Sequence, residues 1–196
     1  AIISSVVPQI STTMTDAIKK VIQTDRVLSI SPGLKTGLNI KIDDPATLGA
    51  DLVCAGVAAM TNYSLPCIIV SLGTANALFA INENAEYLGG AVSPGIRVSI
   101  DALSDRAAQL PHISLRDPGP LIGRNTVDSM RSGTIYGAAC MLDGMIAKMK
   151  AELGGEATVV ATGGMTNYVV PHCEQEIIIN QDLILEGLNI IYHKNI

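Results

Sequence analysis

Asp51 is the only charged side chain in residues 45–62, a run otherwise made of small, polar-neutral and apolar residues. A carboxylate on such a stretch needs a donor, a metal or a cavity, because burying an unpaired charge is costly. Its chemistry suits a general base, taking a proton from a substrate hydroxyl as that oxygen attacks a phosphate. A carboxylate at a solvated helix edge, or one capping nearby backbone, fits the same pattern. A second candidate lies at Ser71-Leu72-Gly73-Thr74, a small polar turn between the apolar runs 68–70 and 77–81. Glycine beside a hydroxyl at the tip of a strand–turn–strand frees backbone N–H groups and a threonine Oγ1 to meet a phosphate. An ordinary hairpin has the same outline. Thr162-Gly163-Gly164 follows another apolar run. Glycines there let backbone approach a flat ligand such as an adenosine, or serve a plain strand-to-helix turn. Thr126 opens a long helical stretch with a hydroxyl able to cap it or to hold a ligand.

The elements that must position these groups alternate between strand and helix. An opening strand runs to Pro8, and Ser11-Thr12-Thr13 offers caps for a helix whose apolar residues Met14, Ala17, Ile18, Val21 and Ile22 follow helical spacing. A strand over 27–30 leads to the loop 31–37, rich in glycine and proline. Asp44-Pro45 is a helix-start signature, predicting a helix to about Met60, and 62–66 reads as a linker. Three strands over 68–92 are followed by helices near 98–110 and 126–153, a strand at 157–161, another at 177–179 and a helix over 183–192. This rhythm indicates an α/β architecture. The division expected is 1–64 for one domain and 65–196 for the other. The long helix carries Ser129, Ser132, Gly133, Gly137, Ala138, Ala139 and Gly144, whose small side chains suit close packing within the chain or a seam between two copies.

Composition excludes several classes. The 196 residues are 48% hydrophobic with net charge −5, one Phe and no Trp, which argues against a nucleic-acid surface built from basic patches and stacking platforms. No apolar run approaches the roughly 20 residues of a membrane span, and no signal-peptide pattern opens the chain. Four scattered cysteines and three scattered histidines make no metal-binding spacing and read as the reduced thiols of a cytoplasmic protein. Gly89-Gly90 and Pro94-Gly95 complete neither G-x-G-x-x-G nor a P-loop, and no G-x-S-x-G is present.

In order along the whole chain, Ser4-Ser5-Val6-Val7-Pro8, Pro32-Gly33-Leu34-Lys35-Thr36-Gly37, Gly49-Ala50-Asp51, Gly73-Thr74-Ala75, Leu88-Gly89-Gly90-Ala91-Val92-Ser93-Pro94-Gly95, Asn125-Thr126, Ser132-Gly133 and Ala161-Thr162-Gly163-Gly164 resemble the type III pantothenate kinases. The ending, Leu185-Glu186-Gly187-Leu188-Asn189 with Tyr192 and Asn195, is similar too. The resemblance implies a duplicated ribonuclease-H-like fold of the sugar-kinase/actin superfamily, here with the first domain incomplete. It implies a homodimer that phosphorylates pantothenate with ATP and Mg2+, aided by a monovalent cation, K+ or NH4+, at the start of coenzyme A biosynthesis. It also implies Asp51 as catalytic base, with Gly49, Ala50, Asp51, Leu52 and Thr126 on the substrate and Gly73, Thr74, Gly163 and Gly164 on ATP.

The chain departs from that family at four places. Leu52 stands where the family has an arginine able to fork onto an anion. Ser71 stands where an aspartate helps hold the monovalent cation, and Ile42 where a tyrosine lines the substrate pocket. The family's N-terminal Asp-x-Gly-Asn-Thr phosphate loop has no counterpart before Ala1, so poor ATP binding is expected of this chain. Two further readings follow: a catalytically weak or inactive paralogue acting as a binding or assembly partner, and a nucleotide-binding module with another substrate.

Overall fold

The computed structural model describes residues 1–5, 7–31 and 33–196. The first apolar run forms only a two-residue strand, β1 (Ile2–Ile3), because proline turns the chain early into helix α1 (Pro8–Ile22). Proline suits the first helical turn, where its missing N–H has no partner to lose. Ser11, Thr12 and Thr13 therefore lie inside the helix rather than capping it, and the Ser11 hydroxyl donates to the Val7 carbonyl. Gln23, in a left-handed conformation (φ 51°), ends α1. Strand β2 (Leu28–Ser29) pairs parallel with β1.

Strand β3 (Asn39–Ile40) is too short for periodicity to reveal. Asp44 does cap a turn, accepting from the Ala46 N–H at 3.1 Å, but that turn covers only Pro45–Thr47. The continuous helix predicted from Pro45 is interrupted at Leu48 and Gly49, and α2 (Ala50–Asn62) begins anew. Asp51 thus falls in the first turn of a helix, where a negative charge suits the helix dipole.

Next comes a meander of β4 (Cys67–Leu72), β5 (Ala75–Ile81) and β6 (Glu86–Pro94). Helices α3 (Ile96–Arg106) and α4 (Thr126–Glu152), strand β7 (Thr158–Thr162), the short helix α5 (Thr166–Val169), strand β8 (Ile178–Ile179) and helix α6 (Leu183–Lys194) complete the order. The sheet runs β3-β6-β5-β4-β7-β8. β4, β5 and β6 pair antiparallel, while β7 runs parallel to β4, β8 to β7, and β3 to β6. An antiparallel meander continued by parallel strands on its first member is the ribonuclease-H-like order. Both β3 and α2 precede residue 65, yet they lie on this same sheet.

Strand alternation sorts the core into two layers. Cys67, Ile69, Phe79, Ile81 and Val160 face α2 and α6. Ile68, Val70, Leu72, Leu78 and Val159 face α3 and α4. Each of these large side chains, fully buried, stabilises the fold by about 1.5–3 kcal/mol. Two contacts fix the layers further. The Asp143 carboxylate accepts from the Glu174 and Gln175 N–H groups at 2.9 and 3.0 Å, tying the loop before β8 to α4. On the other face, Gly187 of α6 lies directly on the backbone of Cys54 in α2. Among the described residues no helix is long and apolar enough to cross a membrane.

Candidate functional site

The β4–β5 turn is tighter than the sequence outline, since Ser71 and Leu72 belong to β4 and only Gly73 and Thr74 form the tip. The Gly73 N–H donates to the Ala75 carbonyl at 3.0 Å, so this donor is committed inside the turn. Thr74 is exposed, and among the described residues neither its N–H nor its hydroxyl has a partner. Its carbonyl accepts from the Gly95 N–H at 3.0 Å. A Cβ at Gly95 would strike the carbonyls of Gly73 and Thr74, so Pro94-Gly95 supports the tip from beneath.

Gly163 has φ +102° and rests on the backbone of Leu72, with the Met165 N–H donating to the Leu72 carbonyl at 3.2 Å. Only glycine combines that left-handed geometry with so close an approach. Gly164 is exposed, with open space where a side chain would be. Gly73, Thr74, Gly163 and Gly164 therefore gather at one end of β4 and β7, the carboxyl edge of a parallel pair, where ligands bind in open α/β sheets. Ser71 lies just below them, between Ala77 and Thr162 of the neighbouring strands, in the row of Cys67 and Ile69. Among the described residues no three His, Cys, Asp or Glu side chains group to hold a metal.

Asp51 stands apart from that cluster. Its carboxylate makes no ion pair or hydrogen bond among the described residues, so it is neither a cap nor half of a salt bridge. Its Oδ1 folds over Gly49, where an added Cβ would lie 2.6 Å away. Burial lifts the Cys54 thiol to about 11 and the Tyr87 phenol to about 12, and the negative charge of Asp51 pushes both in the same direction. Gly49 and Ala50 line a cavity of about 730 Å³ whose far wall is Gly33, Leu34 and Thr36. This is within the range of small-molecule sites. Leu52 and Ile42 pack against the core beneath α2.

Thr126 occupies a third place. Asn125, not Thr126, caps α4, accepting from the Asp128 N–H at 2.9 Å, which leaves the threonine hydroxyl at the mouth of a cavity of about 860 Å³ between α3 and α4. That cavity is on the opposite face of the sheet from α2, so the chain does not gather Thr126 and Asp51 at one point. At its floor sit Asn76 and Ser93, a cross-strand pair whose Oδ1 and Oγ are buried without partners among the described residues. The one sequence signal for this pair is an asparagine at position 76, just ahead of the apolar run 77–81.

A mixed sheet in this order, with a glycine–threonine tip beside a second glycine turn, defines the sugar-kinase/actin class of fold. Solved structures agree on the fold. A protein of the Baf family of transcriptional activators from Campylobacter jejuni superposes with a TM-score of 0.66 at 18% identity, covering 99% of this chain and 82% of its own. The ethanolamine utilization protein EutJ from Carboxydothermus hydrogenoformans gives 0.53 at 10% identity, over 93% of this chain and 72% of its own. In sequence, the profile of the type III pantothenate kinase family matches residues 1–148. A type III pantothenate kinase from Halalkalibacterium halodurans is 42% identical over 195 residues, which cover 100% of this chain and 76% of that enzyme. The chain belongs to the type III pantothenate kinase family.

Proposed function

We infer that this chain is a kinase that transfers a phosphoryl group from ATP to pantothenate, the reaction that opens coenzyme A biosynthesis. The observation that carries its chemistry is the Asp51 carboxylate, unengaged at the start of α2, next in sequence to Gly49 and Ala50, which line a cavity of about 730 Å³. Asp51 takes the proton of the pantothenate hydroxyl while that oxygen bonds to the γ-phosphorus, and ADP departs. Gly49 leaves room for the carboxylate to fold back, and Ala50 lines the cavity. The Thr74 N–H and hydroxyl face solvent for the phosphates, and Gly163-Gly164 offer backbone to the nucleoside. Mg2+ belongs to the nucleotide substrate, where it would neutralise charge on the phosphates. Leu52 gives no cation to the substrate carboxylate. That supports the second reading, a weak or silent paralogue that binds without turnover. Incubation with ATP and pantothenate, with phosphopantothenate read by mass spectrometry, separates the two. Product formation supports the kinase, and ligand binding without product supports the paralogue.

Ser71 has a consequence for cation dependence. An aspartate there would add a full charge beside a monovalent ion, worth roughly 4 kcal/mol at 4 Å in an effective dielectric near 20, before desolvation. Serine offers a neutral oxygen, flanked by Ala77 and Thr162. Activity is therefore expected to change little between K+-free and K+-containing buffer, and Ser71→Asp to introduce K+ activation. Strong K+ activation of the unmodified chain would show that neutral oxygens suffice.

The partner we propose is a second copy. Gly133, Gly137 and Gly144 of α4 are exposed, and nothing lies within 4 Å of where their Cβ atoms would be, so packing inside the chain does not account for them. Gly137→Leu should shift the chain toward monomer, reversing burial of more than ~1,000 Å². Sedimentation showing only monomer for the unmodified chain at micromolar concentration would refute the dimer.

A further inference from the structure

The far wall of the cavity beside Gly49 and Ala50 is a loop held locally, among the described residues, only by Leu34 and Leu38. Leu34 packs on the core and its N–H donates to the Ser31 carbonyl at 3.2 Å, while the Leu38 N–H donates to the Thr36 hydroxyl at 3.2 Å. Before the loop, the Ile30 N–H donates to the Ile3 carbonyl at 3.0 Å; after it, Leu38 is buried in the core and β3 joins the sheet. Between those anchors, residues 33–37 form no strand or helix. They include two glycines in left-handed conformation, Gly33 at φ +103° and Gly37 at φ +80°. Glycine backbone loses the most freedom on ordering, so the stretch after Leu34 gains most from ties outside the loop.

Those ties come from the other end of the chain. The Asn195 side chain accepts from the Lys35 N–H at 3.1 Å and donates to the Lys35 carbonyl at 3.0 Å. It engages both backbone groups of one residue, as a neighbouring strand would. The same carboxamide nitrogen donates to the Ile191 carbonyl at 2.8 Å, so α6 fixes its orientation. Lys194 Nζ donates to the Thr36 carbonyl at 2.9 Å. It lies close against Gly37, where a Cβ would come within 2.7 Å of that nitrogen. Arg26, just before β2, closes the arrangement by donating to the Asn195 carbonyl at 3.2 Å.

We propose that Lys194 and Asn195 form a clasp that positions the 33–37 wall of the pantothenate cavity, making Asn195 a positioning residue for substrate binding. The clasp touches neither the reacting atoms nor the nucleotide cluster at Gly73, Thr74, Gly163 and Gly164. Its loss therefore loosens pantothenate binding while leaving ATP binding and the chemical step intact. This rests on the cavity being the pantothenate site, as inferred above.

The test uses the whole chain with Asn195→Ala, and Lys194→Met as a second, milder variant that keeps the aliphatic stem. Hydrogen exchange of the 33–37 segment is read without ligand, and pantothenate and ATP affinities by calorimetry. Asn195→Ala should speed exchange there and weaken pantothenate about tenfold, the worth of one or two hydrogen bonds, with ATP affinity and saturated kcat within about twofold. Lys194→Met should move the same two readouts in the same direction by less. Faster exchange with unchanged pantothenate affinity would overturn the positioning role, as would unchanged exchange. If the unmodified chain binds no pantothenate at all, the functional reading falls and takes this role with it. The two failures are distinguishable because one is seen in the unmodified chain and the other only in the variants.

Discussion

Asp51→Asn is expected to lower kcat for pantothenate phosphorylation by about 10²–10⁴-fold, the usual worth of a general base. The carboxamide keeps the size of the side chain and loses its ability to accept a proton. Because Asp51 has no internal ion pair or hydrogen bond among the described residues, the substitution removes only its interaction with the helix dipole of α2. Stability should fall by no more than about 1 kcal/mol, the worth of a first-turn charge on a helix dipole. ATP affinity should hold, since the Gly73–Thr74 tip and Gly163-Gly164 lie on other elements. The combination separates a chemical role from a structural one, because a mutant that unfolds loses every readout together. Turnover near that of the unmodified chain would remove Asp51 from the mechanism.

How much of this could be read beforehand varied with the length of each signal. The long segments were legible: α4 starts at Thr126 as the pattern predicted, and the β4–β6 meander falls on the apolar runs around Gly73 and Asn82. Short elements were legible only in part: the runs 27–30 and 177–179 did become β2 and β8, but others were silent. β3 has two residues and α5 four, below the window in which any period can show. The start of α1 went astray because Pro8 was read as ending a strand, when the same fixed φ suits the first turn of a helix. Asp44-Pro45 was a true start signal for a turn too short to become the helix it announced.

The candidate site divided in the same way. Residue types pointed to Asp51, Thr74 and the two glycine turns because each carries its chemistry locally. What a linear chain cannot display is which face of a sheet a residue reaches. Thr126 and Asp51 prove to be on opposite layers, a fact set by the sheet order rather than by either motif. The tie between Asn195 and Lys35 spans 160 residues and rests on side-chain geometry alone. Gly187 was equally silent, since a glycine inside a helical run looks like a weakness until its neighbour is known.

Gly187→Ala is expected to destabilise the fold by about 3 kcal/mol, the upper end of the usual cost of overpacking a close-packed interior. A Cβ there would lie 1.9 Å from the Cys54 carbonyl oxygen and 2.5 Å from its carbon, against backbone that cannot rotate away. Alanine favours helix over glycine by about 1 kcal/mol, so the two effects oppose and the clash must win by a clear margin. At about 2–4 °C per kcal/mol for a chain of this size, the net loss should lower the melting temperature by several degrees. Gly144→Ala, melted at a concentration low enough to keep the chain monomeric, is the matched control. It lies in α4 with nothing within 4 Å of its Cβ position, so there the propensity gain stands unopposed and the melting temperature should hold or rise. A Gly187→Ala chain that melts at or above the unmodified one would mean that α6 can retreat from α2 at little cost. In that case the Lys194–Asn195 clasp, carried at the end of the same helix, would move with it, and pantothenate affinity should fall even though the fold survives.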